Sequence, residues 1–186
     1  MTSIKNVFKS PPVLHTKRLT LRRMERGDYS DMFDYARHEE ITRYLLWNPH
    51  PDKEYTLRYL SFVQNKYRQG EFFDWAVVFS GHMIGTCGFT AIDELNLCGE
   101  IGYVISPRYQ NYGIATEAVM RVIDFAFVNL GLNRLECRYM IGNDASRRVM
   151  EKAGMTYEGT LRKAMYVKGR FVDVGICSIL REEYVK

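Results

Sequence analysis

The run Gln110-Asn111-Tyr112-Gly113-Ile114-Ala115 gathers the residue types of an anion site. An apolar stretch, Glu100 to Ile105, precedes it and an amphipathic stretch follows, so it reads as a strand feeding a helix through a short loop. The first amides of a helix have no partner within it, and the helix dipole places partial positive charge there. A pyrophosphate fits such an end. Gly113 and Ala115 are small enough to let phosphate oxygens approach the backbone, and Arg108 adds a cation nearby. With one glycine, the loop lacks both the G-x-G-x-x-G spacing and the Lys-Ser/Thr ending of a P-loop. Spacing alone therefore leaves an ordinary strand–turn–helix joint equally open.

The elements that must position this loop follow from pattern. Leu19 to Arg22 alternates as a first strand, and Asp28 suits the cap of a helix reaching about His38. A short helical stretch covers Ile41 and Tyr44, and two prolines hold Trp47 to Pro51 out of helix. Asp52 caps a helix with Leu60, Val63 and Tyr67 on one face, and Gly70 ends it. Asp74 to Phe79 and Met83 to Ile92 form a hairpin about Ser80-Gly81-His82. Glu100 to Ile105 is a strand, residues 112–130 a helix stopped by Gly131, and Arg134 to Ile141 a strand. A helix over Asp144 to Ala153 ends at Gly154, and a last hairpin turns at Lys168-Gly169. The class is α/β, with antiparallel hairpins around one strand–helix–strand crossover.

The chain has 186 residues, 46% apolar and 26% charged, which is the size and composition of one globular domain. One domain over residues 1–186 is expected, with 1–14 as a loosely attached arm. No apolar run nears the roughly 20 residues that span a bilayer, and the N-terminus lacks a signal-peptide pattern. A cytoplasmic protein without a membrane role is the expectation. The net charge of +4 is spread out, which argues against nucleic acid but suits an anionic ligand. Cys87, Cys98, Cys137 and Cys177 are far apart, with no paired ligand spacing, so they read as buried apolar residues rather than a metal site.

The wider pattern resembles the GNAT family of N-acetyltransferases. Gln110-x-x-Gly113-x-Ala115 matches its Q/R-x-x-G-x-G/A motif. Glu100-Ile101-Gly102-Tyr103 before it and Ala115-Thr116-Glu117-Ala118 after it are similar to the RimJ/RimL-like branch, which acetylates ribosomal-protein N-termini. So are Asn143-x-x-Ser146, Met150-Glu151-Lys152-Ala153-Gly154-Met155, Glu158-Gly159 and the late hairpin carrying Gly169 and Asp173. The resemblance runs from about Thr16 to the C-terminus. It implies a mixed, mostly antiparallel sheet of about seven strands, splayed at the coenzyme site and flanked by about four helices.

The resemblance also implies roles. Acetyl-coenzyme A would lie between the strand ending at Ile105 and the strand beginning near Arg134. Val104 and Ile105 would offer backbone groups to its pantetheine arm, with the Ile105 amide polarising the thioester carbonyl. The amides of Gln110, Asn111, Tyr112, Gly113, Ile114 and Ala115 would hold the pyrophosphate, and Asn143 the pantetheine. An amine would attack directly, after losing a proton. An N-terminal amine, with a pKa near ~8, loses it more readily than a lysine-like amine near ~10.4. Glu100 is the candidate base, or else a carboxylate paired with a cation.

Many members carry a tyrosine where this chain has Met150, so a phenolic acid is excluded there. Asn143, Ser146 and Met150 share one helix face. That leaves Ser146 to serve the leaving sulfur, or simply to bond backbone in its first turn, and Met150 to pack on the coenzyme arm. Tyr44, Leu46, Trp47 and Tyr166 would line the acceptor pocket or pack the core. Glu117, in a first helical turn, needs no catalytic role. The implied function is transfer of acetyl to a primary amine by a monomer or homodimer, the branch favouring a protein N-terminus. A polyamine, amino sugar or amino acid is the alternative acceptor. A non-catalytic coenzyme A-binding module is the other class.

Overall fold

The computed structural model describes residues 4–184. Its backbone begins with helix α1 (Ile4–Lys9), strands β1 (Leu14–His15) and β2 (Thr20–Arg22), and helices α2 (Tyr29–Ala36), α3 (Glu39–Thr42) and α4 (Lys53–Gln69). Strands β3 (Phe73–Phe79), β4 (His82–Asp93) and β5 (Cys98–Ile105) follow. Then come α5 (Ile114–Phe125), β6 (Arg134–Met140), α6 (Asp144–Lys152), β7 (Thr156–Val167) and β8 (Arg170–Leu180). The eight strands make one sheet in the order β1-β2-β3-β4-β5-β6-β8-β7. Every neighbouring pair is antiparallel except β5 and β6, which the α5 crossover makes parallel.

Both faces of the sheet's centre are covered. On one side α1 and α5 bury Phe8, Val119 and Val122 against Trp75, Val77, Cys87 and Ile101. On the other, α2 and α4 bury Met32, Tyr35, Leu60, Val63 and Tyr67 against Ala76 and Met83. Alternate residues of β3 thus serve opposite cores, which is why its sequence reads as a nearly unbroken apolar run. Asp74 is the exception, and it lies on the α2–α4 side.

Local signals explain most boundaries. Asp52 accepts the Tyr55 amide at 2.6 Å and starts α4, and Gly70 ends it at φ 69°. Ser80 and Gly81 both take positive φ in the β3–β4 turn, the geometry that twists a two-residue hairpin correctly. Asp28 departs from its expected role. Its carboxylate makes no cap to α2; instead it accepts the Glu25 amide at 2.7 Å and both Arg22 guanidinium nitrogens.

The expected loose arm is a second correction. Phe8 is fully buried, edge-on to Phe73, Trp75, Phe89 and Phe125. The Trp75 indole donates to the Pro12 carbonyl at 2.9 Å, and β1 extends the sheet. Six residues of helix are too few to show a clear period, so the segment's one large apolar anchor escaped pattern reading.

Candidate functional site

β5 and β6 pair for only four residues, from Cys98 opposite Arg134 to Ile101 opposite Cys137. Both strands run on without pairing, β5 to Ile105 and β6 to Met140, so the sheet opens there. The Ser106 amide donates to the Ile84 carbonyl at 2.7 Å on β4. Antiparallel pairs alternate, so Val104 also bonds toward β4, whereas the backbone groups of Tyr103 and Ile105 face the opening. Val104 was expected to present its backbone there; its side chain lines the opening instead.

Two cavities meet at this split. One, of about 410 Å³, is lined by Gln110, Asn111, Gly113, Ile114 and Ala115 from the loop, with Arg148 and Lys152 from α6 opposite. The other, of about 300 Å³, lies over the α2–α4 side of the strands and is lined by Tyr44, Trp47, Asp74, Gly88, Glu100 and Gly102. Tyr44, Leu45, Tyr103, Val104, Asn143 and Ser146 line both.

The loop is built as its residues demand. Asn111 and Gly113 adopt left-handed φ of 65° and 74°, and such residues turn successive amides into an anion-accepting concavity. The Gln110 side-chain amide donates back to the Ile105 carbonyl at 3.1 Å, tying the loop to the strand end. A Cβ on Gly113 would have Arg18 Nη2 at 3.6 Å as its nearest neighbour, an ordinary contact. Arg18 bonds Glu117 at 2.6 Å and the Tyr112 carbonyl at 2.9 Å. Glu117 is thus a structural clasp, held below the usual carboxylate range by Thr16 and Arg18 despite partial burial.

Four expected residues are not brought to the cavities. Tyr112 is 69% exposed, and its carbonyl is taken by Arg18. Arg108 turns away to pair with Asp34 at 2.8 Å. The cations facing the loop are Arg43, Arg148 and Lys152, which local spacing gave no reason to choose. Met150 is 1% exposed in the core and lines neither cavity. Tyr166 is 66% exposed and packs on Phe171 with ring centroids 5.0 Å apart. Its neighbour Met165, on the opposite face of β7, lines the cavity instead.

Tyr44 and Trp47 do line the 300 Å³ cavity. The Tyr44 hydroxyl donates to the Gly142 carbonyl at 2.9 Å, bridging the segment after α3 to the loop before α6. Lys168 Nζ anchors the same segment through the Thr42 carbonyl at 2.6 Å. Trp47 is fixed beside His50, whose amide donates to Ala36 and whose ring bonds Thr56 at 2.9 Å.

Asn143 accepts the Ser146 amide at 3.3 Å and so caps α6 at the split. Ser146 Oγ lies 2.8 Å from the Tyr103 hydroxyl, which also donates to the Ser146 carbonyl at 2.9 Å. Burial pushes the Tyr103 phenol well above its ordinary range, so it remains a donor. Pattern reading placed Tyr103 in a strand and gave it no chemistry, since its partner lies 43 residues away.

The two carboxylates differ in surroundings. Glu100 is paired with Arg138 at 3.1 Å and accepts the Thr90 hydroxyl at 2.9 Å. Thr90 reaches it because β4 bulges between Phe89 and Ala91. Asp74 accepts the Trp75 amide at 2.9 Å and bonds Thr86, but burial outweighs both and pushes its carboxyl up to about 7. Among the described residues, no group of three or more His, Cys, Asp or Glu side chains gathers as a metal site, and no helix is long and apolar enough to cross a membrane.

A split parallel strand pair, with an amide-rich helix start at one cavity and a second, smaller cavity joined to it, suits a two-substrate group-transfer enzyme. The chain belongs to the GNAT acetyltransferases: the family described as "Acetyltransferase (GNAT) domain" matches residues 18–156. An N-acetyltransferase of Bacillus licheniformis, p20, is 34% identical over 173 residues, covering 92% of this chain and 97% of that one. The crystal structure of a GNAT-family acetyltransferase from Bacillus anthracis superposes with a TM-score of 0.82 at 25% identity, covering 92% and 99% of the two chains. RimL, the ribosomal L7/L12 alpha-N-protein acetyltransferase solved with coenzyme A, superposes at 0.79 with 19% identity, covering 91% and 98%.

Proposed function

We propose that this acetyltransferase moves acetyl from acetyl-coenzyme A to the α-amine of a protein N-terminus. The observation that carries the reading is the meeting of two cavities at the β5–β6 split. The larger suits the carrier: its loop amides and the cations Arg43, Arg148 and Lys152 complement a polyanion, and the edge of β5 offers backbone bonds to an amide-bearing arm. Acetyl-coenzyme A supplies the activated thioester. The smaller has room for a terminal residue or a small amine, with aromatic walls at Tyr44 and Trp47.

The chain's own groups divide the work. The Ile105 amide, aimed into the split, is positioned to bond the thioester oxygen as charge grows there. Ser146, oriented by Tyr103, faces the place of the departing sulfur. A thiol ionises near ~8.5, well below either hydroxyl. The dyad therefore stabilises the thiolate by hydrogen bonding rather than by surrendering its proton outright. RimL acts on the α-amine of a ribosomal protein, and that likeness together with the RimJ/RimL-like motifs favours the N-terminal acceptor. The modest volume of the smaller cavity, about 300 Å³, favours a small amine as the second reading.

The test is mass spectrometry of a cell lysate treated with isotopically labelled acetyl-coenzyme A and the protein, beside a panel of small amines. Label on protein N-termini is the expected result. Label confined to small amines overturns the N-terminal reading, and coenzyme binding with no labelled product overturns the enzyme reading for both acceptors.

A further inference from the structure

The strand register aligns Asp74 on β3, Gly88 on β4 and Gly102 on β5 in one row across the sheet. All three line the 300 Å³ cavity, and the row ends beside the opening where the backbone of Tyr103 faces β6. Neither glycine can be replaced without intrusion. A Cβ on Gly88 would lie 2.4 Å from the Asp74 Cα and 2.8 Å from Asp74 Oδ1, and one on Gly102 would lie 2.7 Å from Thr90 Cγ2. The bare backbone of Gly88 is therefore what the Asp74 carboxylate leans over. Adjacent strands are ~4.8 Å apart, so Asp74 and Gly102 lie two strands, roughly 10 Å, apart along the row, and the carboxylate that leans over Gly88 faces the same cavity as Gly102 and Glu100.

Glu100 lies in the same cavity with a cation already on it. Arg138 holds one of its oxygens and Thr90 the other. Asp74 is held by the Trp75 amide and by Thr86, and burial is the dominant influence on its carboxyl, with no cation among the groups acting on it. The titratable groups that feel its charge include Tyr35 from α2, Tyr59 and Tyr67 from α4 and Cys87 from β4. Tyr67, also from α4, donates to the Asp74 carbonyl at 2.6 Å. Each is kept protonated by burial, and Glu100 with Arg138 completes the charged lining.

We infer that Asp74, rather than Glu100, is the base that receives the proton of the acceptor ammonium. The inference rests on the acetyltransferase reading. The acceptor enters over Gly88 and Gly102 as an ammonium. One N–H proton passes to the Asp74 carboxylate, directly or through a water, and leaves a neutral amine. The amine nitrogen then forms the bond to the thioester carbonyl carbon as the carbon–sulfur bond breaks; the sulfur leaves as thiolate beside Ser146 and takes up, directly or through water, the second proton from the new amide nitrogen, so that amide and thiol are released. The carboxyl value near 7 matches this task, since an effective base is poised close to the working pH.

The experiment is a pH profile of kcat/KM for the amine acceptor, taken for the natural chain, Asp74→Asn and Glu100→Gln. The expected profile of the natural chain rises through about pH 7, the value at which Asp74 ionises. Asp74→Asn should lose about 100-fold in kcat at neutral pH, and its rise should move up toward the amine's own pKa, with KM for acetyl-coenzyme A held. Glu100→Gln should keep the limb near pH 7. A limb retained in Asp74→Asn, or lost in Glu100→Gln alone, overturns the assignment.

Carbon-13 spectra of the aspartate carboxyls in the coenzyme A-loaded protein give a readout independent of turnover. A resonance absent from Asp74→Asn should titrate near neutrality and shift when ethylamine is added. No such resonance, or one indifferent to ethylamine, also overturns the role. If no amine of the panel is acetylated, the acetyltransferase reading fails, while these spectra still decide whether Asp74 meets an ammonium.

Discussion

The Tyr103 hydroxyl on β5 and Ser146 Oγ on α6 lie 2.8 Å apart, across the split where the two cavities join. This contact links the edge of β5 to the first turn of α6, and both residues line both cavities. It also replaces what Met150 cannot supply, because Met150 is packed in the core. Tyr103→Phe should lower kcat about 5-fold while changing coenzyme A affinity less than 2-fold, since one neutral hydrogen bond contributes about 1 kcal/mol. Ser146→Ala should cost as much or more, and the double variant should fall short of the product of the two, as expected for groups acting as a unit. Steady-state kinetics with calorimetric coenzyme binding checks this; multiplicative losses would separate the two roles.

Gly113 starts α5 from a left-handed backbone, and a Cβ there would meet Arg18 Nη2 at 3.6 Å, an ordinary contact. Gly113→Asp adds a negative charge where phosphate is expected, together with backbone strain of about 1–2 kcal/mol. Calorimetry should show coenzyme A binding lost. Gly113→Ala carries the strain without the charge and should weaken binding less. Equal effects would point to loop distortion rather than charge.

Phe8 anchors α1 against four aromatic rings. Phe8→Ala should cost about 3–5 kcal/mol. For a chain of this size that lowers Tm by roughly 10 °C. Thermal unfolding followed by circular dichroism checks it. A shift under ~2 °C would show that the segment contributes little to the core.

Asp74 also carries a stability signature. Its carboxyl is raised from 3.8 to about 7, so between those values the folded chain holds a proton that the unfolded chain has released. Stability must then fall as pH rises from about 4 to about 7. Asp74→Asn removes the titration. Its Tm should exceed that of the natural chain by several degrees at pH 8, and the gap should close toward pH 4. Parallel Tm curves across this range would show that the carboxyl is not raised.

Much of the frame was readable locally. The hairpin at Ser80-Gly81, the cap at Asp52, the stops at Gly70, Gly131 and Gly154, and the parallel crossover through residues 100–140 all follow from near-neighbour pattern, and all are present. The loop at Gln110 to Ala115 was visible because a helix start and its preceding strand are contiguous. Local reading failed where a side chain had a choice of direction. Arg108 is next to the loop in sequence yet turns to Asp34, and Met165 rather than its neighbour Tyr166 lies at the cavity. Successive strand residues occupy opposite faces, and composition does not reveal which face meets the cavity.

The sequence by itself determined the family, the alternation of elements and the carrier loop, because these depend on contiguous residues and on motifs. The tertiary structure alone decided the chemistry of the acceptor side. Glu100 and Asp74 are equivalent as letters in strands. Only packing gives Glu100 the Arg138 cation and leaves Asp74 desolvated over Gly88. The loop that first marked the protein is contiguous in sequence. The smaller cavity is assembled from β3, β4, β5, β6 and the segment after α3, whose residues meet only when the sheet forms.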